Sequence, residues 1–218
     1  WSRNGSSEND LVFVVGNPGS TGRLNTLSVL EYLRDVQYPA TLDAFGRQVA
    51  VYEALGQLSP ERRSALRNQL FGIQNSQKAT VGYRAGLTDS LLMSRKTAWE
   101  RDFRSRVNAN PELRRLYGAS WDNITRIRGQ MRGVDMRRRY HAFGAYGTRL
   151  LGYAGSISRY AAEMAKPDSS RLMPFRDAMR TRMEQGLYSA TPIDTAQEVR
   201  LLTAYLTAMA RELPATDP

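Results

Sequence analysis

The sequence predicts a mainly α fold, an irregular multi-helix bundle preceded by a short N-terminal β-hairpin, and three observations carry that expectation. Proline follows a polar residue in Ser59-Pro60-Glu61, Asn110-Pro111-Glu112 and Thr191-Pro192. At the first helical position its missing N–H costs nothing, and the residue before it can cap. Apolar residues recur at steps of three and four in Leu150, Ala154, Ile157, Ala161 and Met164, and again in Val199, Leu202, Leu206, Met209 and Leu213. That period marks helices with one stripe packed on neighbours. The run Leu11-Val12-Phe13-Val14-Val15 ends in Gly16-Asn17-Pro18-Gly19-Ser20 and reads as a strand entering a turn. No comparable run follows it.

Taken in order, the strand at 11–15 has one candidate partner, Arg23 to Val29. A lone hairpin is not independently stable, so it predicts a fragment whose sheet is completed outside this chain. Helices are expected near 27–36 and 40–57, separated at Tyr38-Pro39 because proline disfavours a helical residue before it. Further helices are expected over 60–85, 89–108 and 111–117, then a long one over 121–165 bent at its glycines. Lys166-Pro167-Asp168-Ser169-Ser170 reads as a loop, and 174–186 and 193–213 close the chain as helices. The absence of a fixed repeat favours a bundle over a solenoid.

Composition sets the limits on chemistry. The 218 residues hold no Cys and one His, which excludes thiol nucleophiles, disulfides, Cys/His zinc sites and thiolate iron-sulfur clusters. No cofactor is expected. The longest apolar stretch, at 11–15, is far short of a membrane-spanning helix. There are 31 basic residues against 21 acidic ones, a net charge of +10, and 28 of the basic residues are arginines. They are scattered, with one dense run at Arg137-Arg138-Arg139, which reads as a solvated helix face in preference to a nucleic-acid stripe. The chain opens at Trp1 with no basic-then-apolar signal segment, as expected of a mature or excised piece.

Most motif matches fail on spacing. Between Gly16 and Gly22 stand five residues where a phosphate-binding loop needs four, and Arg23-Leu24 replaces its Lys-Ser/Thr. A nucleophile elbow at Ser20 fails because Pro18 stands where Gly is required. His141, the only imidazole, is among cations and lacks a nearby carboxylate in sequence, although a distant Asp could approach it. Trp121-Asp122-Asn123 reads as a helix start with an acidic first turn, and Met173, Met179 and Met183 as core filler.

Three runs remain: Val12 through the glycine-rich turn to Leu24, Leu30-Glu31-Tyr32, and Gln74-Asn75-Ser76-Gln77-Lys78-Ala79. Together they resemble the middle of the bacterial dipeptidyl aminopeptidase BII type serine peptidases, the family of dipeptidyl-peptidases 7 and 11. The resemblance spans essentially the whole chain. It implies a chymotrypsin-like double barrel with an inserted helical domain that caps the cleft and restricts cleavage to dipeptides from a free N-terminus. On that reading 1–26 is a strand and glycine-rich turn at the barrel junction, and 27–218 is the helical cap. The orphan hairpin then belongs to a barrel absent from this chain. The family's catalytic His and Asp precede the glycine-rich run and its Ser follows in the later barrel, so this chain holds no catalytic residue and Ser20 is not the nucleophile.

The resemblance also implies that an Asn of the helical domain helps hold the substrate's amino group, and Asn75 is the matching residue. The alternative for Asn75 is an amide bonding its own helix or a neighbouring turn. The expected partners are a peptide with a free N-terminus and the barrel of the same parent protein, with homodimerisation of the parent left open and no membrane or metal. The expected compartment is the periplasm or the exterior. The rival from another class is an arginine-rich helical module binding nucleic acid or an acidic partner.

Overall fold

In the computed structural model, residues 3, 5–13, 22, 24–141 and 148–217 are described, and nine α-helices are found among them. They are α1 (Leu27–Tyr32), α2 (Tyr38–Gly56), α3 (Pro60–Thr88), α4 (Ser90–Ala109), α5 (Pro111–Tyr117), α6 (Ser120–Tyr140), α7 (Arg149–Met164), α8 (Asp177–Leu187) and α9 (Thr195–Glu212). Two 3-10 turns, Asp168–Ser170 and Met173–Phe175, lie between α7 and α8, the first inside the expected loop.

Two expected starts hold: the Ser59 side chain accepts from Arg62 N, and Asn110 accepts from Glu112 N and Leu113 N. Thr191-Pro192 does not open a helix. Asp194 caps α9 instead, accepting from Gln197 N.

The break expected at Tyr38-Pro39 is replaced by a π-helical turn, Leu33–Gln37, that joins α1 to α2 without leaving the helical path. In an α-helix the Pro39 ring would strike the carbonyl four residues back, and its missing N–H would orphan that carbonyl. Widening the turn shifts the pairing, and Tyr38 N–H bonds to Leu33 O, five residues back. The long helix expected over 121–165 is two. α6 ends at Tyr140 and α7 begins at Arg149, with Thr148 extended before it.

Among the described residues there is no strand. Leu11, Val12 and Phe13 are irregular and exposed, and the expected partner segment enters α1 at Leu27. Among the described residues of that segment no strand forms: the Thr26 side chain accepts from Val29 N and opens a helix at Leu27. Val14 through Thr21 lie outside the described residues, and with them most of the glycine-rich turn and Ser20.

Two apolar clusters hold the helices together. Tyr52, Leu55, Leu66 and Leu201 join α2, α3 and α9, flanked by Val51, Leu70 and Ile73. Tyr140, Tyr205 and Ala208 join α6 to α9, flanked by Leu151, Met209 and Leu213. The expected stripes pack only in part: Met209 and Leu213 reach the second cluster, but Val199, Leu202 and Leu206 do not lie on the buried face. On α9 the buried face is Glu198, Leu201, Tyr205 and Ala208, while Val199 is 63% exposed. On α7, Leu150 and Ile157 face solvent and the buried residues are Gly155 and Glu163. Met173 is exposed too, so it does not fill a core, whereas Met179 and Met183 are half-buried.

Buried carboxylates also fasten helix ends. Glu100 of α4 accepts from Leu27 N at 2.6 Å, capping α1. Glu198 of α9 accepts from Arg149 N and Leu150 N, both at 2.9 Å, capping α7. Glu163 takes Lys166 Nζ at 2.6 Å and Leu172 N at 2.8 Å and so folds the connection after α7. Each supplies an acceptor to N–H groups that a helix start or a turn leaves unpaired.

Candidate substrate-facing surface

α3 is the longest helix and carries Asn75 near its middle. Ser59 caps it, Pro60 opens it and Glu61 complements the helix dipole in the first turn. Gly72, Asn75, Ala79, Gly82 and Gly86 recur at alternating steps of three and four and therefore share one face. A methyl group added at Gly72, Gly82 or Gly86 would meet nothing within 4 Å. The face is open at its glycines and carries Asn75, with Ser76 and Lys78 at its edges.

Asn75 is exposed, and among the described residues its amide has no hydrogen bond. Its neighbours are the ones bonding to the helix: Ser76 Oγ donates to Gly72 O at 3.0 Å and Thr80 Oγ1 to Ser76 O at 2.8 Å. Sequence spacing alone contains the glycine face, which a helical projection of 72–86 reveals.

His141 ends α6, and its Nε2 lies 2.7 Å from Asp217 Oδ1. Asp217 also takes Arg137 Nε at 3.0 Å. A distant Asp does approach the imidazole, but no hydroxyl shares the pair among the described residues, so it lacks a nucleophile. Trp121 stacks edge-on against Phe103 at 5.7 Å, and Asp122 pairs with Arg104 at 2.6 Å, which accounts for Trp121-Asp122-Asn123 as a helix start.

The residue that sequence reasoning missed is Asp135. Fully buried on α6, it accepts from the hydroxyl of Tyr32, itself fully buried on α1, and pairs with Arg138 and Arg139. Arg128 stacks 5.0 Å over the Tyr32 ring. Burial pushes the Asp135 carboxyl up, but hydrogen bonds from Tyr32, Arg138 and Arg139 outweigh it and hold the group below the usual carboxylate range. Burial, then the bond to Asp135, raises the Tyr32 phenol. The arginine run is therefore not a merely solvated face. Arg137 and Arg138 stay more than half exposed but pair with Asp217 and Asp135, and Arg139 is half-buried against Asp135.

Among the described residues no group of three or more His, Asp or Glu is placed to hold a metal, and no helix is long and apolar enough to cross a membrane.

The sequence profile of the peptidase S46 family matches residues 1–218. The Asp/Glu-specific dipeptidyl-peptidase of Shewanella putrefaciens (strain CN-32) is 26% identical over 173 residues, which cover 79% of this chain and 23% of that protein. The chain therefore spans about a quarter of the length of the relative it matches. The match runs through the glycine-rich turn, Leu30-Glu31-Tyr32 and the Asn75 helix together, and the chain belongs to the peptidase S46 family.

Proposed function

We infer that this chain is the substrate-capping helical domain of a serine dipeptidyl-peptidase that removes dipeptides from the free N-terminus of peptides, and that Asn75 accepts a hydrogen bond from the substrate ammonium. The observation that carries the reading is the unpartnered Asn75 amide on an exposed, glycine-lined helix face. An exopeptidase must satisfy the ammonium with acceptors and stop longer chains sterically. A carboxamide oxygen supplies the acceptor without a buried charge, and glycines let a peptide backbone lie close to the helix. The name of the Shewanella relative supports the dipeptidyl-peptidase activity.

The nucleophile, base and orienter are assigned to the parent's barrel, because among the described residues the one imidazole is paired with Asp217 and shares no hydroxyl. The isolated helical domain is then inactive. The bare rows on α7 and α9 suit docking against that barrel, and a homodimer of the parent stays compatible with them. The same reading puts the parent in the periplasm or outside the cell.

Steady-state kinetics of Asn75→Ala in the intact enzyme test this. The kcat/KM for peptides with a free N-terminus should fall about ten- to a hundredfold, the equivalent of one charge-assisted hydrogen bond. Cleavage of N-acetylated peptides, already poor, should barely change. Equal losses on both substrates, or a collapse in thermal stability, would make Asn75 a structural residue.

A further inference from the structure

The positive charge of the chain is not spread evenly over the fold. Residues 90–140, which form α4, α5 and α6, hold 13 of the 31 basic residues but only five of the 21 acidic ones, and so carry +8 of the net +10. Four of those five carboxylates are already engaged: Glu100 caps α1, Asp102 pairs with Arg101, Asp122 pairs with Arg104, and Asp135 is buried. Arg95, Arg106, Arg114 and Arg115 are exposed, and none has a carboxylate partner among the described residues. Arg95 and Arg106 stand three helical turns apart and so share one face of α4, roughly 16 Å apart along its axis. Arg114 and Arg115 follow on α5, which packs against α4 beyond the Asn110 turn. The aromatic rings beside these cations are covered. Trp99 stacks on Phe103 at 5.3 Å with Lys96 Nζ 4.2 Å from its centroid, and Trp121 meets Phe103 edge-on and the Arg104 guanidinium at 5.6 Å.

We propose that the α4–α5 surface binds an extended acidic segment of a polypeptide, whose carboxylates pair with Arg95, Arg106, Arg114 and Arg115. Charge complementarity carries the assignment: a positive surplus left unneutralised within the fold attracts a run of Asp or Glu and repels basic segments. Guanidiniums take carboxylates in forked pairs of hydrogen bonds. An extended chain advances about 3.3 Å per residue, so carboxylates roughly five residues apart reach both Arg95 and Arg106. A single-stranded nucleic acid fits less well. It binds by stacking bases on bare aromatic faces, and here Phe103, Lys96 and Arg104 would have to be displaced from the indoles first. The apolar rows that suit the parent's barrel lie on other elements, α7 and α9. The surface does not rest on the role given to Asn75.

Fluorescence anisotropy of a labelled, N-acetylated deca-glutamate peptide titrated with the intact protein tests it, the acetyl group removing the ammonium that Asn75 would read. At about 0.1 M salt, charges more than about 10 Å away are largely screened, so local contacts decide the affinity. The peptide should bind. The triple variant Arg106→Gln, Arg114→Gln, Arg115→Gln should weaken binding about tenfold or more, the compound loss of three exposed ion pairs. Gln keeps the helix propensity of Arg, so the helix content should hold. A second triple variant, Arg159→Gln, Arg182→Gln, Arg200→Gln, removes as much charge from exposed positions on α7, α8 and α9 and should leave binding within about twofold. Asn75→Ala should leave it unchanged, which separates this surface from a reader of the N-terminus. The absence of binding, or a first variant that loses no more than the second, overturns the surface. Oligothymidylate of the same charge bound more tightly than the peptide, with the same dependence on the three arginines, overturns the polypeptide assignment.

Discussion

Asp135 ties α1 to α6 through one carboxylate, and the bond from Tyr32 is the part that reaches across the fold. Tyr32→Phe keeps the ring and deletes the hydroxyl, leaving one lone pair of a buried acceptor unmatched. That should cost about 1–3 kcal/mol in denaturant titration, with the helix content retained. Asp135 also makes stability depend on pH. A carboxyl held below its ordinary value contributes stability that is fully present above the unfolded value, about 3.9, and is lost as the pH falls through the folded value. The unfolding midpoint should therefore drop as the pH falls below about 4, and Asp135→Asn should flatten that slope. None of this was legible in the sequence. An Asp beside three arginines reads as a surface i, i+3 and i, i+4 pattern, and its deciding partner is 103 residues away. Asn75 stood out only through the resemblance, because a lone Asn in a helix has no pattern of its own.

At the scale of elements, helix ends are closed by carboxylates from other helices. Glu198→Ala should uncap α7, costing about 0.5–2 kcal/mol. Hydrogen exchange should then accelerate first at Arg149 to Tyr153, with α2 and α3 unaffected. Loss spread evenly over the bundle would contradict the local capping role. Helix starts whose caps are local, at Ser59 and Asn110, were legible to within a residue or two. The start of α1 at Leu27 was legible as well, with Thr26 as its local cap, whereas the start of α7 was hidden inside the expected 121–165 helix and its Glu198 cap lies 49 residues away along the chain. Pro39 misled for a different reason. The rule that proline stops a helix assumes an α-helical turn before it, and the π turn removes the clash on which the rule rests.

At the scale of the molecule, the accessible surface is 15,779 Å², against about 10,000 Å² for a compact monomer of this mass. Helical content was legible from periodicity, but which stripe is buried was not. Periodicity finds an apolar row without saying whether its cover belongs to the same unit, and Val199, Leu202 and Leu206 are such a row. The surplus area supports the reading in which the rest of the parent covers it. The net charge of +10 has its own consequence, since a positive surface draws acidic peptides from a distance. The kcat/KM for acidic peptides should fall with rising salt more steeply than for neutral ones, and parallel slopes would remove any steering role. The most direct measurement is a crystal structure of the intact protein holding a dipeptide. The dipeptide's ammonium is expected within hydrogen-bond distance, roughly 2.7–3.2 Å, of Asn75 Oδ1, with the glycine face of α3 over the peptide backbone. An ammonium held wholly by other residues, with Asn75 turned to solvent, would contradict it.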